Sequence, residues 1–398
     1  MTRFGAAVFG AFAFAALAGP PALAQDHTPS PTSCLPQGQW AQPDYRSVEQ
    51  LPDGRVTFRL CAPDAVSVKL ISNDIAQVPL GPNGGLAMQR DASGLWHVTT
   101  SDPIPADNYR YNFLVDGARV PDPLATTFSR ERTGINSTVD LAGPEGDFQR
   151  WHADVPHGTV SVVEYWSAPL AAKRSAYVYT PPGYMNGAER YPVLYLVHGA
   201  GDSADSWTQV GHAHNIIDNL LAAGRAQPMI VVMPFGHTPQ RADAPLEAML
   251  ANADFGADLH DALIPHIDAT FRTMADADHR AMAGLSMGGA HTIRHGLTRP
   301  DLFSRVGIFS MGLGMGRDDV DEYRARHDAA LRESAQQMRL VYYAMGVDDF
   351  LYGTVAPTRA LLDDYGIAHH YNETDGGHTW INWRRYLADF VPRLDWGN

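Results

Sequence analysis

The chain has 398 residues, 45% of them apolar and 19% charged, with a formal net charge of −14. Such a composition suits a globular protein with a real core and enough length for two domains, not a disordered chain. The acidic balance, with no Lys/Arg cluster, argues against nucleic acid or another polyanion as a partner.

The first residues have the layout of a targeting segment. Arg3 is followed by an apolar run, Phe4 to Leu17, and by the small-x-small site Ala22-Leu23-Ala24. The run is about 14 residues, against the roughly 20 that a membrane span needs. Residues 1–24 are therefore expected to be an export signal and not an anchor. Its loss removes Arg3 and leaves 29 basic and 44 acidic residues, a net −15. A periplasmic or secreted protein is expected, and export permits a disulfide between Cys34 and Cys61, the two cysteines of the chain. A buried free thiol at each is the alternative.

Residues 25–44 are rich in Pro, Ser and Thr and read as a linker. From residue 45 to 142 the chain shows short alternating runs bounded by Gly and Asp turns: Val56–Leu60, Val66–Leu70, Leu95–Val98 and Asn108–Phe113. This spacing predicts a small β-sandwich. Alternation puts Tyr109, Tyr111 and Phe113 on one face, which is expected to be core together with Trp96. Residues 143–154 form a second linker, and 155–398 a separate domain.

In that domain strands and helices alternate. Strands are predicted at Thr159–Trp166, Arg174–Thr180, Tyr191–Val197, Met229–Met233, Arg280–Ala283, Arg305–Ser310, Leu340–Met345 and His369–Glu373. Helices are predicted at Asn215–Ala223, Asp254–Phe271, Ala290–Thr298, Asp318–Gln337, Pro357–Tyr365 and Trp380–Phe390. The fold class is α/β, a mostly parallel sheet covered on both faces, preceded by the all-β sandwich.

Gly284-Leu285-Ser286-Met287-Gly288 lies between a predicted strand and a predicted helix. That is the setting in which Gly-x-Ser-x-Gly forms a nucleophile elbow, with the serine oxygen raised at the top of a sheet. A serine hydroxyl is a weak nucleophile and needs a base and a group to orient that base. The chain order serine, acid, histidine is met by Asp348-Asp349 after the strand Leu340–Met345 and by His378 in the loop Gly376-Gly377-His378. The intervals are 63 residues from Ser286 to Asp349 and 29 from Asp349 to His378. Oxyanion donors are expected from the amides of Met287 and of Ala200, in the loop His198-Gly199-Ala200-Gly201 that ends the most apolar strand.

Taken with Gly346-Val347-Asp348-Asp349-Phe350-Leu351-Tyr352, Gly377-His378-Thr379-Trp380 and Val178-Tyr179-Thr180-Pro181-Pro182-Gly183-Tyr184, these motifs resemble the esterase-D-like α/β-hydrolases. The nearest group is the bacterial feruloyl and acetylxylan esterases. The resemblance covers about residues 155–394. The N-terminal sandwich resembles early-set immunoglobulin-like domains related to glycogen-binding modules. The resemblance implies hydrolysis of carboxylic esters attached to carbohydrate, with no metal or cofactor. It places the acid third after Gly346, at Asp349; Asp348 stays open as the alternative, or as a helix cap.

Aromatic residues beside the motifs, Trp207, Phe235, Tyr352 and Trp380, are candidate substrate contacts, with core packing as the alternative. Trp383 is expected to pack. His212-Ala213-His214 has no third ligand cluster near it, so no metal site is expected. His260, His266, His291 and His295 are expected to pack or lie on the surface. The residues 238–252 are a candidate cleft border. Two other functions stay open: a siderophore trilactone esterase or acyltransferase on the same fold, and a carbohydrate-binding protein with an inert hydrolase domain. Acyl preference, sugar specificity, glycan binding by the sandwich and oligomeric state are not readable.

Overall fold

The computed structural model describes residues 33–36, 38, 40–81, 83–238, 253–314 and 320–397. The expected export signal and residues 239–252 of the candidate cleft border lie outside the described residues. Among the described residues no helix is long and apolar enough to cross a membrane.

The N-terminal strands build two sheets. One has the order β1 (Val48–Gln50), β2 (Val56–Cys61), β6 (Leu95–Thr99), β5 (Gln89–Arg90). The other runs β4 (Leu86–Ala87), β3 (Val68–Ile71), β7 (Asn108–Val115), β10 (Gly134–Asp140), β9 (Phe128–Glu131), and β8 (Ala118–Val120) pairs with β7. Alternation along β7 buries Tyr109, Tyr111 and Phe113 against Phe58, Leu60 and Leu70, as a sheet with one face in the core requires. Phe58 meets Tyr111 edge-on at 5.2 Å. A disulfide joins Cys34 to Cys61 across a Cα–Cα distance of 5.7 Å. It ties the segment before the first strand to the end of β2.

The strands from residue 159 onward form one eight-stranded sheet. Its order is β11 (Thr159–Ser167), β12 (Ala172–Thr180), β14 (Ile230–Pro234), β13 (Val193–Val197), β15 (Arg280–Leu285), β16 (Arg305–Phe309), β17 (Leu340–Gly346), β18 (His370–Thr374). The pairings β11–β12 and β12–β14 are antiparallel; every later one is parallel. Strands β13 to β16 are buried along their whole length, which explains their continuous apolar runs. Loops after the parallel strands therefore gather at one sheet edge, where such sheets place ligands.

Two helical stretches differ from expectation. The segment expected as one helix over Asp254–Phe271 is a helix at Ala253–Asp258, a π-helical turn at Leu259–Leu263 and a helix at Ile264–Thr270. Pro265 has no amide for the carbonyl four residues back, and the wider turn before it absorbs that mismatch. The helix after the elbow begins at Met287, three residues earlier than expected, and opens into a π turn at Thr292–Gly296.

The sandwich is pinned to the larger sheet. Arg384, on the helix Trp380–Phe390, is fully buried and donates to Asn108 O at 2.9 Å and Val210 O at 2.6 Å while paired with Asp107. Ile381 on the same helix packs against the sandwich core.

Candidate active site

The elbow is built by close approach. Ser286 sits at φ 52°, ψ −118° between β15 and the helix Met287–His291, a backbone conformation that a non-glycine residue adopts only when its surroundings hold it there. Its amide donates to Phe309 O at 2.9 Å and its carbonyl accepts from Ala290 N at 2.9 Å. A Cβ on Gly284 would lie 2.4 Å from the Gly288 carbonyl group, and one on Gly289 would lie 2.7 Å from Met311 Cβ. Strand and helix can meet this closely only with glycine at both places.

At the end of β17, the Asp349 carboxylate is buried and faces the His378 ring. Nδ1 lies 3.0 Å from Oδ1 and 2.9 Å from Oδ2. The Leu351 amide donates to Oδ1 at 2.9 Å, fixing the carboxylate from the other side. Asp348, the neighbouring candidate, is exposed, and its amide donates to Gly376 O. The carboxylate that meets the imidazole is therefore that of Asp349. With Nδ1 turned to an acceptor, Nδ1 carries the proton and Nε2 keeps its lone pair. The structure has no hydrogen bond between His378 and Ser286; the two stand at the same sheet edge, after β18 and β15.

The loop after β13 lies against the elbow: a Cβ on Gly199 would be 3.5 Å from Ser286 Cβ and 2.7 Å from Leu285 Cδ1. Among the described residues neither the Ala200 amide nor the Met287 amide has a backbone acceptor. Two donors from separate loops are thus left for a ligand atom, the arrangement that stabilises an oxyanion.

The Esterase family model matches residues 167–394, more than half of the chain. The chain belongs to the Esterase family. The endo-1,4-beta-xylanase/feruloyl esterase of Xylanibacter ruminicola is 36% identical over 346 residues, 86% of this chain and 45% of that protein. The chain thus spans less than half the length of that relative. Among solved structures, the enterobactin esterase of Shigella flexneri is similar over 87% of this chain and 95% of that one, at TM-score 0.61 and 19% identity. The ferulic acid esterase of Anaeromyces mucronatus, in complex with ferulic acid, covers 64% of this chain and 97% of its own, at TM-score 0.54 and 23% identity. These likenesses show the fold, an α/β-hydrolase.

The candidate substrate aromatics fall into two groups. Trp207 and Trp380, candidate substrate contacts with core packing as the alternative, are 1% and 0% exposed and meet edge-on at 5.0 Å in the core. Of the two readings, packing is the one the structure has: Trp207 Nε1 donates to Val197 O at 3.1 Å, so its ring lies beneath the loop after β13. Phe235 is half-buried beside His198 and His237, at 5.6 and 5.3 Å. Tyr352 is partly exposed, with its hydroxyl donating to Glu373 at 2.7 Å. Trp383 is core, edge-on to the His378 ring at 5.0 Å.

Sequence reasoning missed Phe350. It is 74% exposed and its ring is 4.6 Å from the imidazole of His378. A large apolar ring directly after the acid was the available signal. His198 begins the loop after β13. It is buried, and burial pushes its pKa down to about 4. Gly236 N donates to its Nε2 at 2.9 Å, while its Nδ1 lies 2.8 Å from Gly199 O. His237 is pushed down to about 3, chiefly by burial. Burial favours the neutral form of both rings, and His198 ties Gly199 to Gly236. Among the described residues no cluster of three His, Cys, Asp or Glu could hold a metal ion.

Proposed function

We propose that this chain is a serine carboxylic-ester hydrolase acting on feruloyl or acetyl esters attached to carbohydrate. Ser286 is the nucleophile, His378 the general base and acid, and Asp349 the group that orients the imidazole. The observation that carries this reading is the buried Asp349 carboxylate on His378 Nδ1, at 2.9 and 3.0 Å, at the same sheet edge as a serine held at positive φ.

The chemistry follows from that arrangement. The Ser286 hydroxyl turns toward His378 Nε2, a contact that apo structures often leave open and substrate closes. As Oγ attacks the ester carbonyl, Nε2 takes its proton, and Asp349 stabilises the imidazolium. The carbonyl oxygen becomes an oxyanion held by the Ala200 and Met287 amides. The tetrahedral intermediate collapses, the C–O bond to the alcohol breaks, and His378 returns the proton to the leaving alkoxide. Water deprotonated by the same imidazole then attacks the acyl carbon, the bond to Ser286 Oγ breaks, His378 returns the proton to Oγ, and the acid leaves. Each step is closed by this chain's own residues.

Phe350 offers a face for an aromatic acyl group beside the imidazole, and Phe235 and Tyr352 border the same edge. Support for a carbohydrate-linked ester comes from the relative in Xylanibacter ruminicola. The division into a sandwich over 45–142 and an esterase domain over 155–398 belongs to this reading. Export through residues 1–24 does too, and the Cys34–Cys61 disulfide fits an oxidising compartment.

The test is a panel of methyl ferulate, feruloylated arabinose, an acetylated xylo-oligosaccharide and a catecholate trilactone, each with wild type and Ser286→Ala. The expected result is turnover of a feruloyl or acetyl ester that falls by about 10⁴-fold or more in the variant. Preference for the trilactone would move the substrate class. An active Ser286→Ala would end the proposal.

A further inference from the structure

The Gly199–Ala200 peptide presents a carbonyl on one side and the Ala200 amide on the other, because a trans peptide is planar. Its carbonyl is held twice. The Asp202 amide donates to Gly199 O at 3.1 Å, and His198 Nδ1 lies 2.8 Å from the same oxygen. Because Gly236 N donates to Nε2, Nδ1 of His198 is the protonated nitrogen and donates to Gly199 O. With the oxygen fixed from two directions, the Ala200 N–H is fixed in the opposite one.

Asp202 is in turn held from the sandwich. Its Oδ2 accepts from Gly199 N at 3.3 Å, and its Oδ1 lies 3.2 Å from Arg110 Nη1. Arg110 is on β7 and cannot swing: Asp74 grips its Nε at 2.8 Å and its Nη2 at 3.0 Å. The side chains of Arg110, Asp74 and Asp202 are 12%, 2% and 7% exposed. Strand β9 adds a second tie, since Glu131 bridges to Asp202 and the Arg132 amide donates to Gly201 O at 2.9 Å.

We propose that Arg110 is a positioning residue for the oxyanion hole: acting across the domain junction through Asp202, it sets the orientation of the Gly199–Ala200 peptide. This rests on the oxyanion role given to Ala200 above. Without the guanidinium, Asp202 is a buried carboxylate with no cation, and it relieves that state by turning toward water or taking a proton. Either response loosens its grip on the Gly199 amide. The Ala200 donor then meets the developing charge off-line. The N-terminal sandwich is thereby part of the catalytic framework and not an appended module.

The experiment uses the full chain with methyl ferulate and a nitrophenyl ester, and compares Arg110→Gln, Asp202→Asn and Asp202→Ala with wild type. Active sites are counted by end-point fluorophosphonate labelling, so that kcat is read per competent site and misfolded protein drops out. Affinity for an aryl boronic acid, a tetrahedral mimic, is measured beside it. Removing one oxyanion donor costs about 10²–10³ in kcat; misaligning one is expected to cost about 10–100-fold. Arg110→Gln and Asp202→Ala should lose that much kcat with KM within about threefold, and boronate affinity should fall in step with kcat/KM. Asp202→Asn keeps one oxygen for the Gly199 amide but turns its NH2 toward Arg110, so its rate should fall between those of Asp202→Ala and wild type. If Arg110→Gln does not fold, the two Asp202 variants carry the test. Arg110→Gln or Asp202→Ala with kcat per site within twofold of wild type, or an Asn variant no better than Ala, overturns the proposal. A wild type that hydrolyses no ester overturns the functional reading itself, and the proposal with it.

Discussion

Replacing Gly288 by alanine probes the joint on which the elbow depends. A Cβ there would stand 2.3 Å from Val197 O, 2.7 Å from Val197 C and 2.8 Å from His198 O. Real Cβ atoms essentially never come within 3.0 Å of a neighbour, and 3.4 Å is ordinary contact. The helix start must therefore move about 0.7–1.1 Å from the end of β13. All three obstructing atoms are backbone, and β13 is locked between β14 and β15, so no side chain can give way. Overpacking of this kind costs about 1–3 kcal/mol of stability. The same shift carries Ser286 and the Met287 amide away from the Ala200 amide, and a misplacement near 1 Å costs roughly 10²-fold in rate. Urea unfolding and kcat/KM on a soluble ester measure the two effects. Gly353→Ala is the control, because its Cβ would meet nothing within 4 Å. A Gly288→Ala protein within about 0.5 kcal/mol and twofold of wild type would refute the packing argument.

Three further outcomes follow from the same geometry. Asp349→Asn should lower kcat by roughly 10⁴-fold through the wrong imidazole tautomer, whereas Asp348→Asn, at an exposed carboxylate, should stay within twofold; equal losses would contradict the assignment. Phe350→Ala should raise KM for a feruloyl ester by about fivefold relative to an acetyl ester, the worth of one aromatic contact, read from paired Michaelis curves. Acid should destabilise the fold through its buried histidines. His198 and His237 are held down to about 4 and about 3 chiefly by burial, while an unfolded histidine titrates near 6.5. The unfolded chain then binds more protons below that value, so their contribution is complete above about pH 6.5 and lost as pH falls toward their folded values. At pH 5 the loss is about 2 kcal/mol for each, and denaturation midpoints unchanged between pH 7.5 and 5 would contradict it.

Much of this was legible in the residues because each functional loop sits at the end of a buried strand. The runs of β13 to β17 are apolar on both faces, and a glycine-rich turn after such a run has one place to go. What was not legible depends on contacts between distant segments. Strand β10 has no apolar alternation to read, because its buried residues Asn136, Ser137 and Thr138 are polar, with partners such as Asn112, Asp122 and Thr127. Trp207 and Trp380 follow functional motifs by a few residues, but distance along the chain does not say which side of a loop a ring occupies. The tie from Arg110 to Asp202 spans 92 residues and joins two domains that the sequence presents as separate. The choice between Asp348 and Asp349 turns on which of two adjacent side chains points inward, and motif spacing alone left it open.

The most direct test of the account is covalent trapping. Wild-type protein is mixed with a nitrophenyl or feruloyl ester, quenched in acid within the first turnover, and mapped by peptide mass. The account predicts an acyl group on the peptide containing Ser286, formed in a burst and absent from Ser286→Ala. Steady hydrolysis with the acyl group on another residue, or with no covalent species at any quench time, would contradict it.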